Sequence, residues 1–290
     1  MATPTVRRLQ LGNELRHLRE LANETIENAA KIVERTTSTI SRLELGQTAL
    51  TQRQLGDLLD FYRGKISNCE DTAWVLDLAK GNEQRGRWSG YRSVYAKHFR
   101  MAVDLERDAS AIHWYQTELV SGLLQTEAYM RSLFVDAEVR PVDQGIDDAI
   151  KARLERQTIL TTENPPDVGF VLSESALRRV VGSRDVMRDQ ITHLIKCAEL
   201  PNVQMQVIPF EARTPVAPVY NFTTYRVPSP GQAGPLEFVY VEEYTDGRYL
   251  DHPSDVDAYA TLWNRLVGAA LDPMASRDLL RRVAEEYDAT

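Results

Sequence analysis

An all-α head over residues 1–66, a connecting helix and linker over 67–90, and an α+β domain over 91–290 with helices covering a mixed sheet form the predicted fold class. Two patterns predict it. Between Leu15 and Tyr62, apolar residues recur at helical spacing in four short runs, whereas beyond residue 91 strand-like runs alternate with helical ones. With 290 residues, 43% of them apolar and 26% charged, the chain is long enough for two ordinary globular domains.

The first run, Leu15-Arg16-His17-Leu18-Arg19-Glu20-Leu21-Ala22, ends at Asn23, a tolerable left-handed terminator. The second starts at Thr25 and turns Ile26, Ala29, Ala30 and Val33 inward. Only Glu34-Arg35 separates Val33 from Thr36, which can cap a third helix, and Gly46 follows that helix where a left-handed residue is wanted. Ile40 and Leu43 give the third helix an apolar inner side, while Thr37, Ser38, Ser41 and Arg42 fall outward. Thr51-Gln52-Arg53-Gln54 has capping-box spacing, and Leu55, Leu58, Leu59 and Tyr62 then share one face of a fourth helix.

Small alanines and a two-residue turn are what two tightly crossed helices require, and a short helix with hydroxyls and one Arg outside suits a DNA groove. A helical bundle used only for packing or dimerisation is the alternative, against which stands the correct phasing of four successive helices. The segment resembles the lambda-repressor-like (XRE) helix-turn-helix family, whose pattern Ser/Thr-x-x-x-Ile-Ser-Arg-Leu/Ile-Glu-x-Gly is matched by Thr36 to Gly46. The resemblance implies base contacts at Thr37, Ser38 and Arg42 and phosphate contacts at Thr39 and Arg53; Ser41 shares the outward face. Two residues depart from the family pattern. Ile26 stands where many relatives carry a polar groove-contacting residue, and Glu34 stands where the turn usually carries Gly; a left-handed Glu costs about 1 kcal/mol or more.

Net charge is −8, but residues 1–66 carry 10 Lys/Arg against 8 Asp/Glu and the remainder 24 against 34. A weakly basic head on an acidic body binds a duplex through a local patch while the body repels phosphate. One such head makes few contacts, so a homodimer on paired half-sites of double-stranded DNA is expected. No apolar run of membrane-spanning length and no secretory leader is evident, so no membrane association and a cytoplasmic location are expected.

In the body, helices are expected over 91–109, after Pro141 to about Leu160, in two pieces over 173–199, and from Ser254 and Ser276. Strands are expected at 111–115, 168–172, 203–209, 221–227 and 237–242, with a hairpin onward through Gly247; their order is left open. The stretch from Ser121 should turn at Gly122 and become helical. Three blocks resemble the C-terminal domain of WhiJ-like actinobacterial regulators: Gly122-Leu123-Leu124-Gln125-Thr126-Glu127-Ala128-Tyr129, the run from Leu172 to Gly182, and the run from Pro201 to Phe210. Phe238-Val239-Tyr240-Val241-Glu242 fits the same pattern. That resemblance implies control of development or specialised metabolism, often beside a small companion protein. Ser121 replaces the Pro that relatives commonly carry, which frees φ at this turn.

A pocket for a small-molecule effector could draw on Trp114, Tyr115, Gln116, Phe170, Phe210, Tyr220, Phe222 and Tyr240, although buried aromatics more often simply fill a core. His17, His98, His113, His193 and His252 show no pairing for nucleophilic or metal chemistry, and Cys69 and Cys197 read as packing thiols. Glu174 could pair with Glu242 or Glu243 in a cleft, but an acid opening a helix more simply meets its dipole. Arg85, Arg87 and Arg92 read as solvated linker charges. The expectation is a sequence-specific transcription regulator with no catalytic residues, metal or cofactor, whose body receives a small-molecule or protein signal. The alternatives are an interaction module governed by a companion protein and an enzyme carrying a DNA-targeting head.

Overall fold

The computed structural model describes residues 6–66, 73–80, 94–136, 145–213, 220–243 and 245–289. They form two compact units: residues 1–89 with 227–236, and residues 90–226 with 237–290. Arg85, Arg87, Arg92, Cys69 and Pro141 lie outside the described residues.

The first unit contains α1 (Val6–Leu21), α2 (Ile26–Ile32), α3 (Thr37–Glu44), α4 (Gln52–Arg63) and α5 (Ala73–Lys80). Side-chain oxygens of Thr25, Thr36 and Thr51 accept from the backbone N–H groups of Asn28, Thr39 and Gln54, so three successive helices start on a threonine. Thr51 and Gln54 complete a reciprocal capping box. Asn23 and Glu34 are both left-handed at φ 53°, and Gly46 lies at φ 67°. Leu15, Ala29, Val33, Ile40, Leu43, Leu58 and Tyr62 meet in one core. The first helix begins at Val6 rather than Leu15, because Val6 and Leu11 are buried as well. The fifth helix buries Val75 in the same core, so it is part of the head's packing rather than only a connector.

Residues 227–236, between two strands of the body's sheet, complete this unit. The Glu14 carboxylate, buried on α1, accepts from the backbone N–H groups of Gln232 (3.1 Å) and Ala233 (3.2 Å). Gln10 Nε2 donates to Pro228 O at 2.9 Å. Gly231 permits this approach, since a Cβ there would fall 2.4 Å from Glu14 Oε1.

The second unit runs α6 (Arg100–Asp108), β1 (Ala111–Gln116), α7 (Glu127–Asp136), α8 (Ile146–Gln157), β2 (Asp167–Ser173), α9 (Glu174–Arg178), α10 (Arg184–Cys197), β3 (Val203–Ile208), β4 (Phe222–Val227), β5 (Leu236–Glu242), β6 (Gly247–Leu250), α11 (Pro253–Ala269) and α12 (Pro273–Asp288). Short 3₁₀ turns occupy Gly122–Leu124 and Thr158–Thr161. The strands form one mixed sheet in the order β3-β2-β1-β4-β5-β6. β1 and β3 flank β2 in parallel, while β4 pairs antiparallel with β1 and β6 with β5. The expected α+β class with a helix-covered mixed sheet is therefore correct.

The helix expected over 91–109 is shorter, starting at Arg100, because the residues before it pack individually: Val94 and Tyr95 are buried, and Tyr95 Oη donates to Ala152 O at 2.8 Å. The final helix starts at Pro273, earlier than Ser276, because Asp272 accepts from the N–H groups of Met274 and Ala275. Strand alternation divides the sheet into two faces. Tyr115, Val171, Phe222 and Val239 pack with Trp263 and Leu266 of α11 on one of them.

Candidate functional site

In the head, α3 is fixed from beneath by Ile40 and Leu43, both fully buried, while Thr37, Ser38 and Arg42 are exposed and Thr39 and Ser41 partly so. Arg42 Nε donates to Ser38 O at 3.2 Å, which lays the guanidinium along its own helix. Thr39 Oγ1 lies 3.0 Å from Thr36 Oγ1, so this hydroxyl joins the cap. Arg53, at the start of α4, has a side chain 91% exposed, with Nε 3.9 Å from Asp57 Oδ2. Ile26 packs partly buried against the head's core, which accounts for an apolar residue there. Below α3, Glu44 turns inward and receives Arg19 from α1.

In the body, a cavity of about 470 Å³ opens beside the sheet face opposite α11. Of the eight residues expected to form a pocket, Trp114 and Gln116 line it. Phe170 is buried behind, stacked on Trp114 at 6.1 Å between ring centroids. Tyr240 packs between Phe99 and Tyr249. Tyr115 and Phe222 contact each other on the α11 face, and Phe222 meets Tyr259 edge-on. Phe210 and Tyr220 are 62% and 84% exposed. The structure does not bring these eight together: adjacent strand residues such as Trp114 and Tyr115 point to opposite faces, and Phe210 and Tyr220 lie outside the strands.

Charged residues at the cavity escaped the sequence reading. Arg153 and Arg156 project from α8, and Glu106 from α6 stands behind Arg156, with Arg156 Nε 3.0 Å from Glu106 Oε2. The ions are close but poorly aligned, and neither Glu106 oxygen makes a hydrogen bond among the described residues. Burial pushes the Glu106 carboxyl up to about 7, against the pull of Arg156. Burial, then the neighbouring Arg156, push Arg153 down to about 10. A usable signal was present: Ala149, Ala152, Arg153 and Arg156 recur at helical spacing, which sets two arginines beside the inward stripe of α8.

The other candidate chemistry is occupied. Glu174 accepts from Arg178 Nε at 2.6 Å and from Phe210 N–H at 2.9 Å. His113 stacks on Trp263, and His193 lies 3.4 Å from the Cys197 sulfur, a thiol that burial pushes up to about 11. Among the described residues no group of three His, Cys, Asp or Glu could hold a metal ion, and no helix is long and apolar enough to cross a membrane.

A capped helix pair joined by a two-residue turn, with the second helix exposed along one polar side, defines a helix-turn-helix domain, and residues 10–65 match the family described as helix-turn-helix domain. Residues 99–282, well over half the chain, match the family described as domain of unknown function (DUF5753), and the chain belongs to that family. No curated protein and no solved structure matches it.

Proposed function

We propose that the protein is a cytoplasmic, sequence-specific transcription regulator that binds DNA as a homodimer. Residues 1–66 read the duplex, 67–90 connect, and 91–290 receive a small-molecule effector or a small companion protein. The observation that carries this reading is the exposed side of α3: Thr37, Ser38, Ser41 and Arg42 stand on a helix immobilised by Ile40 and Leu43. In this reading Arg42 swings from Ser38 O to donate two bonds to a guanine edge, Thr37, Ser38 and Ser41 meet neighbouring base edges, and Thr39 and Arg53 bind phosphate. The likeness of the body to WhiJ-like regulators supports a role in development or specialised metabolism.

The test is selection of sites from a randomised duplex library by the purified full-length protein at fixed salt. A two-fold-symmetric site is expected. Arg42→Ala should cost about 1–3 kcal/mol and relax preference at one base position, whereas Arg53→Ala should weaken all sequences evenly and lower the salt slope by about 1. No enriched site, or an Arg42 effect equal on every sequence, would overturn the assignment.

A further inference from the structure

The geometry points to the body's cavity as a binding site for a small organic anion with an apolar body, its head group held by Arg153 and Arg156. The inference rests on the reading of the body as a small-molecule receiver and specifies what it receives.

Size and lining come first. About 470 Å³ suits one small organic molecule, and Trp114, Phe99 and Phe134 furnish apolar walls. The charge at the inner wall is less ordinary. Arg156 is 2% exposed, and Glu106, the one carboxylate it pairs with among the described residues, is equally enclosed. Arg153 forms no ion pair among the described residues; its Nη1 donates to Gln125 Oε1 at 2.5 Å, and its buried Nε has no partner there. Arg156 thus has the buried Glu106 beside it, while Arg153 lacks such a partner among the described residues. The further carboxylate at the cavity, Glu242, is 55% exposed and 3.7 Å from His98 Nε2.

A cation set against apolar walls without a counter-ion is costly, and although the Arg153 side chain keeps some contact with solvent, its depressed proton affinity points the same way. A ligand anion would relieve it, since guanidinium offers a planar fork matched to carboxylate or phosphate. The protein also makes room for this charge. A Cβ on Gly122 would lie 2.5 Å from Arg156 Nη2, so any other residue there would displace the guanidinium from its present place in the wall. The Gly122 turn is itself held: Gln157 Nε2 donates to Gly122 O (3.0 Å) and Gln125 O (2.7 Å), and Gln125 Nε2 donates to Val120 O (2.7 Å). Phe134 lies against Arg153, its centroid 4.9 Å from the guanidinium carbon, so an aromatic wall adjoins the charged end.

The experiment is isothermal titration of the full chain, without DNA, using 1-naphthoate and decanoate beside their neutral amides. The acids should bind roughly tenfold or more tighter than the amides. Arg153→Gln should erase that preference and Arg153→Lys should retain part of it, with thermal unfolding confirming that each variant folds. 1-Naphthyl phosphate identifies the head group, according to whether it or 1-naphthoate binds tighter. Equal affinity for acid and amide, no binding by any probe at millimolar concentration, or a preference that survives Arg153→Gln would overturn the site. Because DNA is absent, failure here leaves the DNA-binding reading standing, and failure of site selection leaves this result intact.

Discussion

Arg19 on α1 grips Glu44, the last residue of α3, with two parallel bonds: Nε to Oε1 at 2.7 Å and Nη2 to Oε2 at 3.0 Å. Glu44 is buried, Arg19 nearly so, and Arg16 adds a contact at 3.6 Å. The helix proposed to read DNA is therefore tied to the first helix at one end and capped by Thr36 at the other. Removing one member of such a pair strands the other's charge. Glu44→Ala should destabilise the head by about 3 kcal/mol, at the low end because Arg19 keeps some contact with water. The double change Arg19→Met with Glu44→Leu should recover most of that loss in urea unfolding. A Glu44→Ala loss below 1 kcal/mol would show the grip to be ornamental.

The turn between α2 and α3 holds Glu34 at φ 53°, while its neighbours are well bonded, with Arg35 N–H donating to Ala30 O at 2.9 Å. The side chain is exposed, so its replacement should change little besides backbone strain. Glu34→Gly should stabilise the head by about 1 kcal/mol. A denaturation midpoint that stays the same or falls would refute this.

At the start of the Gly122 turn, Ser121 has φ −53° and ψ 141°, within reach of proline. Its backbone N–H makes no hydrogen bond among the described residues, and its hydroxyl is buried without a partner. Ser121→Pro should raise stability by about 0.4–1 kcal/mol through the unfolded chain, with the lost orphan hydroxyl acting in the same direction. Calorimetry comparing the two proteins is the check, and a lower melting temperature would contradict the account.

His113 stacks nearly parallel on Trp263, 4.5 Å between centroids, beside Gly169 of β2, where a Cβ would fall 2.9 Å from the indole. Burial pushes the His113 pKa down, and His193 shifts the same way through burial and Lys196. A histidine whose folded pKa lies below its unfolded value contributes stability above about pH 6.5, and that contribution is lost as pH falls. Unfolding at pH 7.5 and 5.5 should show a decline that shrinks in His113→Phe and shrinks further when His193→Gln is added. An unchanged pH slope in the double variant would rule these residues out as its source.

The head was largely legible because its determinants are local. Thr36, Gly46 and Thr51 specify helix ends from neighbouring residues, and the strained Glu34 stands out against a position that usually carries Gly. The body was legible only as a succession of elements. Val168 pairs with both Ile112 and Val203, contacts set by global packing rather than by anything near it in the chain. The expected aromatic pocket placed Trp114 and Tyr115 together, although period-two alternation separates them, and it passed over arginines that sit beside an apolar helical stripe. Buried charge breaks the hydrophobic pattern on which such reading relies.

The Glu14 carboxylate holds Gln232 and Ala233, which follow it by more than two hundred residues. The head is thus discontinuous in the chain, and during synthesis from the N-terminus α1 to α5 precede the last piece of the unit. Most of the body must leave the ribosome before the head can reach its finished form. A nascent or prematurely ended chain would carry every residue of the α3 surface on a head still lacking its Glu14 partner.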